Sequence, residues 1–260
     1  MKTTILMLLL FVSSFASAQK GKTILAIFPH PDDEQSVAPV LAKYASEGAN
    51  VYLVVVTDGR FGVEKHAGIP AGDSLAAVRR SEIICSAKAI GIHPPILLGF
   101  HDQMGLEKGM GGLYVSMDSL RKLVGRLFDQ YKPDVILTLG PSGWTGHPDH
   151  RLVGNVVTEV FETRQWDRHP ALYYPELATG SLPADAPHFA TVDPAYLTVR
   201  IDLNSEDLAK AKAALLCHRS QYLPETVEWI ERSIWNRNHP VAYFRPFAGD
   251  NRIRHSLFGN

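Results

Sequence analysis

The chain has 260 residues, of which 45% are hydrophobic and 20% are charged, and its formal net charge is −1. These values are ordinary for a folded globular protein and exclude the disordered and collagen-like classes, while the near-neutral charge argues against nucleic acid as the main partner. The 11 histidines are numerous, and because histidine is a common metal ligand that titrates near neutrality, their placement is the first question.

The first eighteen residues have the pattern of a cleavable signal peptide. Lys2 gives a positive start, residues 5–12 are apolar, and Ala16-Ser17-Ala18 fits a small-residue cleavage site. We expect export to the periplasm or the medium, with residues 19–260 forming one domain. The apolar stretch is shorter than the roughly 20 residues that a spanning helix needs, so we expect no membrane anchor.

The remaining chain alternates between predicted strands and predicted helices. Short apolar runs predict buried strands at 23–28, 51–56, 95–99 and 134–139. Helical patterns occupy 37–47, 74–90, 116–131 and 150–163, and a further helix runs from 205 to 218. Weaker strand signals lie at 171–174 and 196–201, and the last forty residues show no clear pattern. This alternation predicts a single α/β domain with a Rossmann-like, mostly parallel sheet and helices on both faces.

Two histidine and aspartate clusters follow predicted strands. Pro29-His-Pro-Asp-Asp-Glu34 comes directly after the first strand, and Gly146-His-Pro-Asp-His150 follows the fourth. Open α/β sheets bind their ligands at the carboxyl ends of the strands. If the strand order is 3-2-1-4-5, the first and fourth strands are neighbours, and the two clusters face each other across one crevice.

The clusters offer the ligands of a catalytic metal site. His30 and Asp33, together with one or both of His147 and His150, supply imidazole and carboxylate groups. A catalytic zinc ion needs three protein ligands and an open position, and two histidines with one carboxylate also suit iron(II). Either cluster alone is compatible with an ordinary turn or helix cap, but their pairing favours a site for zinc or another divalent metal.

More polar groups are present than a metal requires. Asp32 lies beside the predicted ligands and could take a proton from an attacking water. The spare histidine of the second cluster could stabilise an oxyanion or protonate a leaving amine. Asp149 could hydrogen-bond the free nitrogen of a histidine and fix its tautomer.

The two clusters resemble the signature motifs of the PIG-L/LmbE family of metal-dependent N-deacetylases, which includes N-acetylglucosaminyl-phosphatidylinositol deacetylase. Four further segments support the resemblance, which covers about residues 23–222: Val56-Thr-Asp-Gly59, Arg79-Arg-Ser-Glu82, Lys132-Pro-Asp134 and His218-Arg-Ser-Gln221. The resemblance implies that His30, Asp33 and His150 are the zinc ligands. It also implies that Asp32 is the general base and that His147 stabilises the oxyanion or assists the departing amine.

The resemblance gives two weaker assignments and shows one departure. Arg79 resembles an arginine that contacts the polar head of the substrate, with a solvated helix residue as the alternative. Asp102 resembles an acidic residue at the sugar hydroxyls, with a turn former as the alternative. Some family members carry a tyrosine where this chain has Thr145, so any contact of a tyrosine hydroxyl with the oxyanion must come from elsewhere or be absent. The preceding Trp144 either stacks on a sugar ring or packs in the core.

Three other residues receive structural interpretations. An exported chain meets an oxidising environment, which permits a disulfide, but Cys85 and Cys217 lie in separate predicted helices and we expect two separate buried thiols. His218 shares a helical stripe with Leu208, Ala211 and Leu215, which predicts a packed core histidine.

The sequence thus predicts an exported zinc hydrolase that removes the acetyl group from an N-acetylated amino sugar or glycoconjugate. Hydrolysis of another amide or an ester by the same site is one alternative, and a carbohydrate-binding relative without catalysis is another.

Overall fold

The computed structural model describes residues 19–184, 186–187, 189–236 and 238–259. The predicted signal peptide lies outside these residues. Across the described part of the chain, no helix has both the length and the apolar character that crossing a bilayer demands.

A mixed sheet forms the centre of the molecule. Its strands are β1 (Thr23–Phe28), β2 (Asn50–Thr57), β3 (Ile96–Phe100), β4 (Val135–Leu137), β5 (Ala171–Ala178), β6 (Thr191–Val192), β7 (Val199–Asp202) and β8 (Val241–Pro246). They lie in the order β3-β2-β1-β4-β5-β8-β7, with β6 beside β5. The first five strands pair in parallel, whereas β8 runs antiparallel to both β5 and β7. The predicted mostly parallel sheet and its 3-2-1-4-5 order are confirmed.

Helices cover both faces of this sheet. They are α1 (Ala38–Ser46), α2 (Asp73–Ile90), α3 (Gly109–Tyr131), α4 (Pro148–Thr163), α5 (Ser205–Leu215) and α6 (Pro224–Ser233). Side chains of β1 alternate between two cores: Ile24 and Phe28 pack with residues of α1, α2, α5 and α6, whereas Leu25 and Ile27 pack with residues of α3 and α4. Because β1 is buried on both faces, its sequence is a continuous apolar run.

The structure extends the predicted elements at two places. α3 begins at Gly109 rather than at 116, because the glycine-rich start carries no apolar stripe and resembles a loop in sequence. A Cβ atom on Gly112 would lie 2.4 Å from the carbonyl oxygen of Gly105, so only glycine permits this close approach. The unassigned last forty residues contain α6 and β8, and β8 is paired on both sides within the sheet.

The prediction of two separate buried thiols is wrong. Cys85 and Cys217 form a disulfide with a Cα–Cα distance of 5.8 Å. Cys85 is exposed and Cys217 is half-buried. The two residues are 132 positions apart, and they meet because α2 and α5 pack side by side, a contact that the periodicity of either helix does not reveal.

Candidate active site

The loop after β1 presents three acidic side chains and one histidine in a tight turn. The backbone N–H of His30 donates to Oδ2 of Asp33 at 2.7 Å, which closes the turn. Asp32 has a φ of 149°, a conformation that costs a non-glycine residue about 1–3 kcal/mol and persists only where its surroundings enforce it. Strain of this kind is common at functional sites, and here it falls on the residue predicted to act as the base.

The second loop joins β4 to α4. His147 caps α4, and its Nδ1 atom accepts a hydrogen bond from the backbone N–H of Asp149 at 3.2 Å. A Cβ atom on Gly154 would lie 2.2 Å from the carbonyl oxygen of Leu139, so the glycine allows α4 to approach the end of β4 closely. Since β1 and β4 are neighbours, the two clusters meet at the carboxyl edge of the sheet.

Three side chains form a compact triad at this edge. The Asp33 carboxylate lies 3.1 Å from His30 Nδ1 through Oδ2 and 3.1 Å from His150 Nε2 through Oδ1. The two histidine nitrogens are 3.2 Å apart. Tetrahedral zinc, with bonds of about 2.0–2.2 Å to nitrogen and oxygen, separates its ligand atoms by about 3.3 Å. The triad therefore has the dimensions of one face of a tetrahedral metal site.

Hydrogen bonds on the far side of each ring orient the two histidines. His30 Nε2 lies 3.2 Å from Oδ2 of Asp149, and His150 Nδ1 lies 2.9 Å from the carbonyl oxygen of Gly143. Both partners can only accept, so in the neutral rings these far-side nitrogens carry the protons. The opposite nitrogens then present lone pairs toward the Asp33 carboxylate, a donor set that fits a divalent cation.

The pKa shifts of the triad also indicate a site that favours a cation. Burial opposes a charge on His30, but the carboxylates of Asp33 and Asp149 raise its pKa to about 10. The same balance, with Asp33 as the main acidic partner, raises the pKa of His150. Although burial opposes ionisation of Asp33, the two histidines hold its pKa well below the ordinary value. The site thus favours a positive charge beside Asp33. Protons on the histidines supply this charge in the absence of a metal ion.

His147 stands at the open side of the triad. It is exposed, and its ring packs edge-on against His30 with a centroid distance of 4.8 Å. Potential ligand atoms of His30, His147 and His150 all lie within 4.8 Å of one another, so the three histidines form an alternative ligand set. Burial and the neighbouring His30 lower the pKa of His147. Because its Nδ1 accepts from the backbone, the neutral ring carries its proton on Nε2, where it is available as a donor.

Comparison with known proteins agrees with this site. The family model for PIG-L, described as GlcNAc-PI de-N-acetylase, matches residues 25–161, a range that contains both clusters. The chain belongs to the PIG-L family. A probable N-acetyl-alpha-D-glucosaminyl L-malate deacetylase 2 from Bacillus anthracis is 27% identical over 227 residues, which cover 80% of this chain and 92% of that protein.

Solved structures show the same fold in the PIG-L chain. N,N'-diacetylchitobiose deacetylase from Pyrococcus horikoshii superposes with a TM-score of 0.66 at 23% identity, covering 87% of this chain and 84% of its own. The 4-carboxy-2-hydroxymuconate hydratase GalB from Pseudomonas putida KT2440 superposes with a TM-score of 0.64 at 15% identity, covering 88% and 97%. Because the fold also serves a hydratase, the reaction must be argued from the residues of the site.

The loops after β1 and β4 carry the predicted metal ligands and are called the metal loops below. Arg79 supports the first of these loops in the PIG-L site. It is 3% exposed, which excludes the alternative of a solvated helix residue. Its guanidinium donates to Oδ1 of Asp32 at 2.7 Å and to the carbonyl oxygens of Gly59 and Pro31 at 3.0 and 2.8 Å. The predicted contact with the substrate stays a prediction, since these internal partners already occupy both terminal nitrogens.

Asp102 and Trp144 also have internal partners. The two carboxylate oxygens of Asp102 accept from the backbone N–H groups of Gly59 and Phe61, both at 2.8 Å, so Asp102 organises the loop after β2. Trp144 is 6% exposed, and its indole N–H donates to the carbonyl oxygen of Pro175 at 2.9 Å. Of the two alternatives for Trp144, packing in the core is confirmed.

The sequence did not predict the contacts that several polar residues make beside the site. His218 is fully buried as predicted, but its Nε2 lies 2.6 Å from Oε1 of Glu34, to which Ser86 also donates at 2.5 Å. Tyr222 places its hydroxyl 3.2 Å from Oδ2 of Asp32. The resemblance of His218-Arg-Ser-Gln221 to a family segment was the available signal, but it assigned no role to these side chains.

Proposed function

We propose that this PIG-L protein is an exported, zinc-dependent hydrolase that removes the acetyl group from an N-acetylglucosamine derivative. The observation that carries the proposal is the Asp33 carboxylate placed 3.1 Å from one nitrogen each of His30 and His150, with Asp32 next to it in the chain. The names of the Bacillus anthracis and Pyrococcus horikoshii proteins, both deacetylases of N-acetylated sugars, supply the substrate class.

The reaction adds water to an acetamide and yields acetate and a free amine. When bound to His30, Asp33 and His150, zinc supplies Lewis-acid polarisation of the acetyl carbonyl. Asp32 accepts a proton from the attacking water. Burial raises the pKa of its carboxylate, which suits a proton acceptor, and the ion pair with Arg79 opposes part of this shift. The neutral ring of His147 donates a hydrogen bond from its Nε2–H to the oxygen that gains negative charge. The C–N bond then breaks as the nitrogen takes up the proton that Asp32 accepted from the water, which returns Asp32 to its starting state.

Two features support the proposal of export. The amino-terminal leader has the composition of a cleavable signal peptide. The Cys85–Cys217 disulfide is of a kind that persists in oxidising compartments and is rare in the cytosol.

Acetate release from a panel of acetylated sugars tests the function. The panel contains N-acetylglucosamine, N,N'-diacetylchitobiose, N-acetylglucosaminyl malate and an O-acetylated sugar, and the protein is assayed after its zinc and iron contents have been measured. We expect the amides to be hydrolysed and the ester to react poorly. Acetate release from the ester alone would replace the proposed activity with an esterase, and sugar binding without turnover would favour the carbohydrate-binding alternative.

The base assignment is tested in the same assay. We expect Asp32→Asn to lower kcat by about 10²–10⁴, the usual contribution of a general base, while metal content stays near that of the wild type. Asp118→Asn is a matched control, because Asp118 is an exposed residue of α3 that pairs with Lys122 on the surface. Full activity of Asp32→Asn would show that the base is another group.

A further inference from the structure

The hydroxyl of Tyr222 makes a directed contact with Asp32. Tyr222 lies in the segment that follows α5, outside both metal loops. Its oxygen accepts a hydrogen bond from Nε2 of Gln35 at 2.6 Å and lies 3.2 Å from Oδ2 of Asp32. Because the amide of Gln35 donates to this oxygen, the single hydroxyl proton of Tyr222 is directed to the Asp32 carboxylate.

This contact completes the support of the Asp32 side chain. Arg79 donates to Oδ1 at 2.7 Å, and Tyr222 donates to the other carboxylate oxygen. The backbone of Asp32 is strained, with a φ of 149°, so side-chain partners must help to maintain its orientation. A carboxylate that takes a proton from water has to point an oxygen at that water, and hydrogen bonds to both oxygens fix its rotation.

We propose that Tyr222 is a positioning residue that holds Asp32 in its working orientation, and that the Cys85–Cys217 disulfide keeps Tyr222 in place. The inference rests on the proposed function, in which Asp32 is the base.

The segment that carries Tyr222 is fastened at three points, two on α2 and one on the loop after β1. The disulfide joins Cys217 to Cys85. Ser220 donates from its backbone N–H and its hydroxyl to the two carboxylate oxygens of Glu82 at 2.7 and 2.6 Å. His218 reaches Glu34, which belongs to the loop that carries Asp32. The helix that supplies Arg79 to Asp32 thus also anchors the residues that bring Tyr222.

The disulfide is the fastening that a solute can open. Cys85 is exposed and Cys217 is half-buried, whereas Glu82, Ser220 and His218 are buried. A dithiol reductant would cleave the S–S bond by giving two electrons and two protons, leaving two protein thiols and becoming a disulfide itself. Release of Cys217 frees the end of the segment that leads into Tyr222, so the placement of Asp32 depends on the redox state.

Tyr222→Phe tests the positioning role because it removes only the hydroxyl. We expect kcat to fall about tenfold, within the contribution of a general base, with KM and metal content unchanged. Tyr174→Phe is the matched control. The Tyr174 hydroxyl lies 2.8 Å from the Thr158 hydroxyl, and neither residue belongs to a metal loop. An unchanged kcat in Tyr222→Phe, or an equal loss in both variants, would overturn the proposal.

A double-mutant cycle tests the link to the disulfide. Cys85→Ser/Cys217→Ser is made in the wild type and in Tyr222→Phe, and dithiothreitol treatment of the wild type provides an independent opening of the bond. We expect about a threefold to tenfold loss of kcat in the wild-type background and little further loss in the Tyr222→Phe background. Equal losses in the two backgrounds would show that the disulfide does not act through Tyr222.

Hydrogen exchange gives a readout that does not depend on turnover. We expect the peptide containing residues 217–222 to exchange faster when the disulfide is open, while peptides of β1 stay protected. Unchanged exchange at 217–222 would refute the role of the disulfide. A wild-type protein that releases no acetate from the whole panel would refute the proposed function instead, so the two failures are distinguishable.

Discussion

Nδ1 of His30 lies 3.2 Å from Nε2 of His150, although 120 residues separate them in the chain. In the neutral rings both nitrogens are unprotonated, because the opposite ring nitrogens donate to Asp149 and to the carbonyl oxygen of Gly143. Two lone pairs and the Asp33 carboxylate facing one another repel unless a cation lies between them. The relationship therefore identifies which of the clustered histidines should control metal binding.

His150→Ala and His147→Ala should separate the two ligand sets. We expect His150→Ala to lower metal affinity by at least about a hundredfold, since loss of even an outer hydrogen-bond partner costs about 10–100-fold. His147→Ala should retain the metal and lose about 10²–10³ in kcat as an oxyanion donor. Metal titration and steady-state kinetics measure both effects. Loss of the metal from His147→Ala would instead favour the set of three histidines.

Arg79→Gln distinguishes support of Asp32 from contact with the substrate. The substitution leaves the Asp32 carboxylate, whose side chain is 15% exposed, without its ion-pair partner. We therefore expect the free energy of unfolding to fall by about 3 kcal/mol and kcat to fall with little change in KM. Arg80→Gln is the matched control, because Arg80 is the exposed neighbour of Arg79 on α2. A rise in KM with kcat preserved would show that Arg79 binds the substrate after all.

The sequence supports prediction of the metal loops because each loop is continuous and follows a recognisable strand. His30 and Asp33 lie within four residues, as do His147 and His150, and the strand order alone brings the two pairs together. The partners of Asp32 could not be predicted in this way. Arg79 lies in the middle of a helix and bonds the loops after β1 and β2, and Tyr222 follows α5, which packs against α2. Single-sequence periodicity does not encode these contacts between distant elements. The disulfide was missed for the same reason.

Asp102→Asn should act through the loop after β2. The Asp102 carboxylate accepts two backbone N–H groups, from Gly59 and Phe61, whereas an amide offers a single oxygen. We expect one buried donor to lose its partner and the free energy of unfolding to fall by about 1–3 kcal/mol. Asp193→Asn is the control, because Asp193 accepts from the backbone of Ala195 at an exposed position. A rise in KM with unchanged stability would support the predicted sugar contact instead.

Glu176 should make the free energy of unfolding depend on pH, and Glu176→Gln should remove that dependence. Its side chain is buried in β5, Oε2 has no hydrogen-bond partner among the described residues, and Nε of Arg245 is 3.9 Å from Oε1. Burial raises the pKa of Glu176 to about 7, from 4.5 in the unfolded chain, and Arg245 opposes the shift only in part. The folded state therefore holds this proton more tightly than the unfolded state does.

The sign of the effect follows from linkage. Below pH 4.5 the carboxyl is protonated in both states and costs nothing, between pH 4.5 and 7 the wild type loses stability as pH rises, and above pH 7 the loss is complete at roughly 3 kcal/mol. Glu176→Gln stays neutral throughout, so we expect it to match the wild type near pH 4 and to exceed it by up to about 3 kcal/mol at pH 8. Urea unfolding at the two pH values measures the difference. A difference that is the same at both would mean that Glu176 is ionised in the folded protein with a compensating partner.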